Sequence, residues 1–439
     1  MEFKFVDLFA GIGGFHAALS ALGGAGVAAV EIDEDAAKVY ETNWQLKALG
    51  DITKVVSESH CDIPDHDVLA AGFPCQPFSK SGAQRGMEET RGTLYWNILQ
   101  IIRHRKPAFV LLENVRNLAG PRHAHEWQII VETLRDEGYR VSDFPAVFSP
   151  HLLPPDLGGR PQVRERIFIC AVRDPEADRA DLLMERPVVD TQPIEGWDPM
   201  TWDLESDLPL DDSCDDPSTT LSVAETLWID AWNEFVEGMW ELRDGRRLPG
   251  FPLWGDHWIR TEELEIPPGT PKWKSDFLRK NADFYSQHQA FIDAWAAKWG
   301  FYTDAFPPSR RKFEWQAQDT PRLWDTVMQM RPTGIRAKRA TYLPALVAIT
   351  QTSIIGPRRR KLSVREAARL QGLPDSFSFG NQRAADSYKQ LGNGVSVGAV
   401  YYVVRQAVSQ YEEILKKTAR GLVSAVLSSP PSPDEALRG

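Results

Sequence analysis

Phe3-Lys4-Phe5-Val6-Asp7-Leu8-Phe9-Ala10-Gly11-Ile12-Gly13-Gly14-Phe15 is the stretch that decides the fold. A short apolar run of strand character meets three glycines within four residues, and a helical pattern starts directly behind them. Glycine permits a tight turn and close approach of backbone to a ligand, and a helix N-terminus offers unpaired N–H groups there. The spacing is not Gly-x-Gly-x-x-Gly, so taken alone the turn serves equally as a plain strand–helix connection.

Outward from this turn, strand-like and helix-like segments alternate. Strands are expected at 4–9, 27–31, 68–71, 109–113, 139–147 and 167–172, with helices at 15–22, 35–43, 93–104 and 126–138. That rhythm predicts an α/β fold with a doubly wound parallel sheet. It stops after Arg173. Residues 174–330 are acidic and Pro-rich, and twelve of the fifteen Trp lie between Trp197 and Trp324. Helical patterns there cover 220–241 and 274–299, which predicts a second, smaller, irregular domain with the Trp in its core. From Lys361 the earlier character returns. Ser363 and Glu366 stand at N-cap and capping-box positions of a helix ending near Gly372-Leu373-Pro374. A last helix over 398–420, stopped at Gly421, is expected to pack back on the sheet. The expected division is a catalytic domain at 1–185, a second domain at 186–380, a return at 381–427 and a disordered Pro/Ser-rich tail at 428–439.

The 439 residues suit two domains, and no apolar run of 18 residues suggests a membrane span. No signal peptide is read at the N-terminus. The four cysteines, Cys61, Cys75, Cys170 and Cys214, have no metal-ligand spacing, so no metal is expected and a reducing interior fits. The net charge of −11 hides a strong asymmetry. Residues 174–220 carry fifteen Asp/Glu against two Arg, and residues 331–369 carry ten Lys/Arg against one Glu. The second segment is either a solvated basic face or a footprint for phosphates.

Two motifs carry the chemistry. Gly72-Phe73-Pro74-Cys75-Gln76-Pro77-Phe78-Ser79 follows one strand, and Glu113-Asn114-Val115 ends the next. A thiol and a carboxyl at one sheet edge suit covalent attack on a heteroaromatic ring with an acid beside it. Thiolate is the reactive form, and Arg164 and Arg166 of Gln162-Val163-Arg164-Glu165-Arg166 are candidates to favour it, unless they merely edge a solvated strand. Cys61, Cys170 and Cys214 read as small buried apolar residues. Glu31 ends the second strand, where a carboxylate can accept ribose hydroxyls.

On these motifs the chain resembles the DNA (cytosine-5)-methyltransferases, from Phe5 to about Gly398. The resemblance implies a Rossmann-like methyltransferase sheet with a target-recognition domain. It implies transfer of a methyl group from S-adenosylmethionine to C5 of a flipped-out cytosine in a specific double-stranded DNA sequence. Cys75 matches the nucleophile that adds to C6, and Glu113 the acid at the base edge. Asn114 matches the residue orienting the loop, and Arg164 and Arg166 match residues contacting the base and loop. Phe9, Gly11, Ile12, Gly13, Gly14, Glu31, Ile32, Asp51, Ile52, Pro74, Asn393 and Val395 match the cofactor side. Trp44 is set aside as core packing. Gln76, Ser79, Lys80 and Arg91 fall on a stretch like the family's DNA-closing loop, and Arg331, Arg336, Lys338 and Arg339 are the DNA candidates of the recognition interval. The approach Leu153–Pro161 is longer than the family's. A monomer is expected, cytoplasmic in a bacterial or phage setting, with a cognate restriction endonuclease acting on the same site. A tRNA methyltransferase is disfavoured because a Cys-Phe-Thr signature is absent. An inactive DNA-binding relative is disfavoured because the catalytic residues are present, and an oxidoreductase because the glycine spacing is wrong.

Overall fold

A computed structural model describes residues 3–74, 93–184, 186–211, 214, 216–317, 319–346 and 352–437. The chain divides into two compact units, residues 1–210 with 344–349 and 364–439, and residues 211–343 with 350–363. The second unit is thus narrower than the expected 186–380 interval, because residues from 364 onward form helices of the first.

In the first unit, β1 (Phe3–Leu8), α1 (Gly14–Ala21), β2 (Gly24–Val30), α2 (Glu34–Trp44), α3 (Ile52–Val55), β3 (Val68–Gly72), α4 (Leu94–Arg105), β4 (Phe109–Val115) and α5 (Ala124–Asp136) alternate as expected. There follow β5 (Tyr139–Ser142), β6 (Ala146–Phe148), β7 (Gln162–Val163), β8 (Arg166–Arg173) and β9 (Leu183–Met184). The sheet runs β2-β1-β3-β4-β8-β5-β9, with β6 also paired to β8. β2, β1, β3 and β4 are parallel, and β8 joins β4 antiparallel. The expectation of a wholly parallel sheet is corrected on this side. Between β6 and β8 lie only single 3-10 turns and the short β7, with no α-helix, and a parallel return needs such a crossover. The single expected strand 139–147 is two strands, parted around Pro145, which cannot donate to a ladder.

β1, β3 and β4 are buried on both faces, and Val6, Leu8, Leu69, Val110 and Leu112 join Ile98, Leu99, Ile101 and Ile130 in one core. The chain moves outward from β1 first to β2 and then, on the other side, to β3. This reversal opens a crevice at the carboxyl ends of the strands, where ligands of such sheets bind. Past the second unit come α8 (Val364–Gln371), α9 (Ala384–Asn393), α10 (Val397–Gln410), α11 (Glu412–Thr418), α12 (Arg420–Ser428) and α13 (Pro433–Leu437). The expected single helix 398–420 is therefore broken at Tyr411 and Ala419, and Gly421 lies inside α12 rather than ending a helix. The tail is ordered through Leu437. Tyr401 Oη donates to Pro430 O at 2.6 Å, Arg405 reaches Ser429 O at 2.7 Å, and Arg160 pairs with Asp434 at 2.5 Å.

The second unit packs an aromatic core between two helices and a sheet. The helices are α6 (Val223–Leu242), started by a Ser222/Glu225 capping box, and α7 (Lys272–Trp299). Trp232 is fully buried, stacks on Phe313 at 4.6 Å and meets Trp258, Trp295 and Phe301. The Trp-rich composition is thus core packing first. In this sheet β10 (Leu253–Trp254) pairs antiparallel with β11 (Lys312–Gln316), β11 is parallel to β13 (Gly334–Arg339), and β12 (Thr326–Arg331) is antiparallel to β13. Among the described residues no helix is long and apolar enough to cross a membrane.

Candidate active site

The glycine turn between β1 and α1 is held from three sides. Gly11 and Gly13 have φ of 54° and 92°, and Phe9 is also left-handed at 56°. A Cβ on Gly13 would meet Trp44 Nε1 at 2.0 Å, and one on Gly14 would meet Val395 Cγ2 at 2.7 Å. Trp44 Nε1 donates to Ile12 O at 3.0 Å and its ring stacks on His16 at 4.7 Å. Trp44, set aside in the sequence, is therefore a wall of the turn. The signal was present in the glycines themselves, since a doubled glycine implies something pressing close.

Glu31 completes the turn. Its Oε2 accepts from Gly11 N and its Oε1 from Asp33 N, each at 2.7 Å. Ile32 beside it is 70% exposed, an apolar surface offered outward. Asp51 caps α3 by accepting from Thr53 N at 2.9 Å, which holds its carboxyl below the usual range. Ile52 is buried. Asn393 is exposed at the end of α9, and Val395 is buried against Gly14. A Cβ on Gly11 would find nothing within 4 Å, so there is open room above the turn.

Asp7, under the turn, is fully buried, and neither carboxyl oxygen has a hydrogen-bond partner. Burial drives its pKa well up, the His16 backbone N–H opposes that rise, and the nearby Glu31 carboxylate adds to it.

β3 and β4 place Gly72 beside Glu113 in register. Asn114 Nδ2 donates to Phe73 O at 2.9 Å, and its Oδ1 accepts from Val115 N at 2.8 Å. The residues leading to the thiol are thus tied to the carboxylate strand. Pro74 is exposed at this edge. Cys75, Gln76, Ser79, Lys80 and Arg91 lie outside the described residues.

Across the β4–β8 ladder Arg166 faces Val115, one diagonal step from Glu113 on the same face. Its Nε lies 3.1 Å from Glu113 Oε1. Burial raises the Glu113 pKa, and Arg166 and then Arg164 oppose that rise. Arg164 is 1% exposed and donates to Leu346 O at 3.1 Å, Gly392 O at 2.8 Å and Gly394 O. Its guanidinium is engaged with these carbonyls, so it braces β7–β8 against the C-terminal end of α9 and Gly394. Burial lowers its pKa, yet a guanidinium remains charged near neutrality. Cys170 is buried, with its thiol pushed up to about 12. Among the described residues no cluster of three or more His, Cys, Asp or Glu could hold a metal.

A switch-point crevice with a glycine turn, the Glu31 carboxylate at the end of β2 and a buried Glu113–Arg166 pair at the end of β4 fits the α/β fold of a methyltransferase. The chain belongs to the C-5 cytosine-specific DNA methylase family, whose profile matches residues 3–409. It is 49% identical to the Type II methyltransferase M.AluI of Cellulosimicrobium cellulans, over 98% of this chain and 97% of that protein. It is 42% identical to the Type II methyltransferase M.HhaI of Haemophilus parahaemolyticus, over 39% of this chain and 49% of that protein. It is 28% identical to the Type II methyltransferase M.HgiBI of Herpetosiphon aurantiacus, over 94% of this chain and 99% of that protein. It methylates cytosine at C5 in DNA.

Proposed function

We propose that this methylation proceeds through a covalent adduct of Cys75, with S-adenosylmethionine held at the glycine turn and Glu113 acting on the base. The observation that carries the reading is the buried Glu113, set beside Gly72 and balanced by Arg166 at 3.1 Å. C5 of cytosine is a weak nucleophile. Addition of the Cys75 thiolate forms an S–C6 bond, and Glu113 hydrogen-bonds or protonates N3 as charge builds there. The ring is then an enamine, nucleophilic at C5. Once C5 is methylated, its proton is lost to a base and the thiolate is expelled, which restores the ring and the free enzyme.

S-adenosylmethionine supplies an electrophilic sulfonium methyl when bound. The residues fit it. Gly11 leaves open room above the turn, Glu31 is oriented by Gly11 and Asp33 to receive a ribose, and Ile32 offers an apolar face. Asp51, the Ile52 backbone, Phe9, Pro74, Asn393 and Val395 complete this side. Double-stranded DNA is the partner, with the target base flipped out to reach Cys75. Gln76, Ser79, Lys80 and Arg91 contact DNA from the loop, and the second unit recognises the sequence. The Type II designation of the relatives supports a cognate restriction endonuclease, with this chain acting as a cytoplasmic monomer.

DNA carrying 5-fluorocytosine at the methylated position should trap the enzyme, since fluorine cannot leave as a cation. The adduct should need S-adenosylmethionine and map to the peptide containing Cys75. Cys75→Ser should form none. A trap that persists in Cys75→Ser, or maps to Cys61, Cys170 or Cys214, removes Cys75 from this role.

A further inference from the structure

The sheet of the second unit has one face with an unmet demand for partners. Side chains alternate along strands, so the two faces separate cleanly. Phe313, Trp315, Met328, Met330, Ile335 and Ala337 go into the aromatic core. Glu314, Gln329, Arg331, Arg336 and Lys338 therefore share the other face. In register, Glu314 on β11, Arg336 on β13 and Gln329 on β12 form one row across the strands.

Within the row the guanidinium is fixed. Arg336 Nε donates to Glu314 Oε2 at 2.7 Å, and both side chains are more than two-thirds enclosed. The same carboxylate oxygen lies 3.7 Å from Arg331 Nη1, which is buried without a hydrogen-bond partner. Among the described residues, no protein group accepts from the two terminal nitrogens of Arg336, pairs with the Gln329 amide or accepts from Lys338. Lys338 is half-buried, and its burial together with Arg336 and Arg331 holds its pKa below the ordinary lysine range. One carboxylate thus stands against three cations, in a chain whose net charge is −11. Polar groups half-enclosed in this way need acceptors from outside.

A cation meant only for phosphate can be a loose point charge. An arginine held along its Nε edge presents instead a fixed pair of Nη donors, the match for guanine O6 and N7. A carboxamide alongside matches adenine N6 and N7. Neighbouring strands lie about 4.8 Å apart, so Arg336 and Gln329 address bases one or two steps apart.

We propose that Arg336, buttressed by Glu314, reads a guanine and Gln329 reads a nearby adenine on base edges in the major groove, with Lys338 and Arg331 on flanking phosphates. Arg339 is not part of the reader. It alternates to the opposite face and pairs with Asp319. This assignment rests on the second unit being the recognition element, and it names the residues that set specificity there.

The test uses the full chain on a plasmid library with randomised sites, read by bisulfite sequencing. The parent should give one site profile. Gln329→Ala should raise methylation at sites altered in one A·T pair, relative to the parent site, by roughly five- to hundredfold. Arg336→Lys keeps the charge but loses the paired donors, so it should relax one G·C position by a similar factor and leave the salt slope unchanged. Glu314→Gln should relax that G·C position alone, by less. If Gln329→Ala does not fold, Gln329→Met keeps the stem and carries the same expectation. A parent with a defined site whose profile survives every substitution, with methylation merely lowered throughout, overturns the base-reading assignment. A profile that follows the second unit in chimaeras yet ignores these residues overturns it equally. A profile that does not follow the second unit at all overturns the recognition reading beneath it.

Discussion

Replacing Arg166 with Met leaves the Glu113 carboxylate enclosed without its nearest cation. The two groups lie 3.1 Å apart, with side chains 18% and 10% exposed. Removing one member of a buried pair costs roughly 3–5 kcal/mol, because the other charge stays buried. Arg164 also favours the charged form of Glu113, so the lower end, about 3 kcal/mol, is expected. The loss depends on pH, and its sign is fixed. Burial already holds the Glu113 pKa above the ordinary carboxylate value, and losing Arg166 raises it further. A carboxyl whose pKa is raised on folding stabilises the fold only while protonated. The penalty is therefore in force above the folded pKa and fades as pH falls toward the unfolded carboxylate range. Urea denaturation followed by far-ultraviolet circular dichroism should show Arg166→Met losing about 3 kcal/mol near pH 8 and much less near about pH 5. Glu113→Gln combined with Arg166→Met removes the stranded charge and should recover most of the loss at about pH 8. An equal loss at both pH values would refute the reasoning. So would a double variant no more stable than Arg166→Met.

Glu31→Ala removes the acceptor that orients the glycine turn and, in the proposed site, the ribose. Calorimetry should show S-adenosylmethionine affinity falling by about 1.5–3 kcal/mol, and unchanged affinity would sink the cofactor assignment. Cys170, pushed up to about 12 by burial, should resist iodoacetamide in the native protein near pH 8 and react once unfolded; native labelling there would contradict its burial. Gly398→Ala would put a Cβ 1.9 Å from Gly158 O, and backbone cannot yield cheaply. A loss of about 1–3 kcal/mol is expected in thermal unfolding, and a variant as stable as the parent would mean that the α10 contact is looser than described.

The first half of the sheet was legible because each of its strands is a short apolar run followed by a helical pattern, and those two periods do not mimic each other. What came next was less so. Pro145 stands inside the segment 139–147, and its missing N–H is the local mark of the break between β5 and β6. The antiparallel entry of β8 was implied by the missing helix between Phe148 and Arg166. The breaks at Tyr411 and Ala419 carry no local mark, since neither residue opposes a helix strongly. The tail misled for a different reason. Its Pro and Ser resemble a disordered composition, but its order comes from Tyr401, Arg405 and Arg160, residues distant in the chain. In the site, Glu31, Glu113 and Arg166 were legible as charged residues at strand ends. The bracing role of Arg164 was not, because backbone carbonyls have no signature in a sequence. Trp44 and Asp7 fell to the same limit: packing against a turn depends on how the chain returns to it.

Arg164 takes two of its three acceptors from Gly392 and Gly394, more than two hundred residues further along the chain. Val395, pressed on Gly14, is more distant still. A ribosome adds about 5–20 residues each second, so tens of seconds pass between emergence of the first strands and arrival of the segment that locks them. Through that interval the nascent sheet carries its acid and its glycine turn without the brace. A product truncated before Gly392 lacks this closure, however well its first strands have formed.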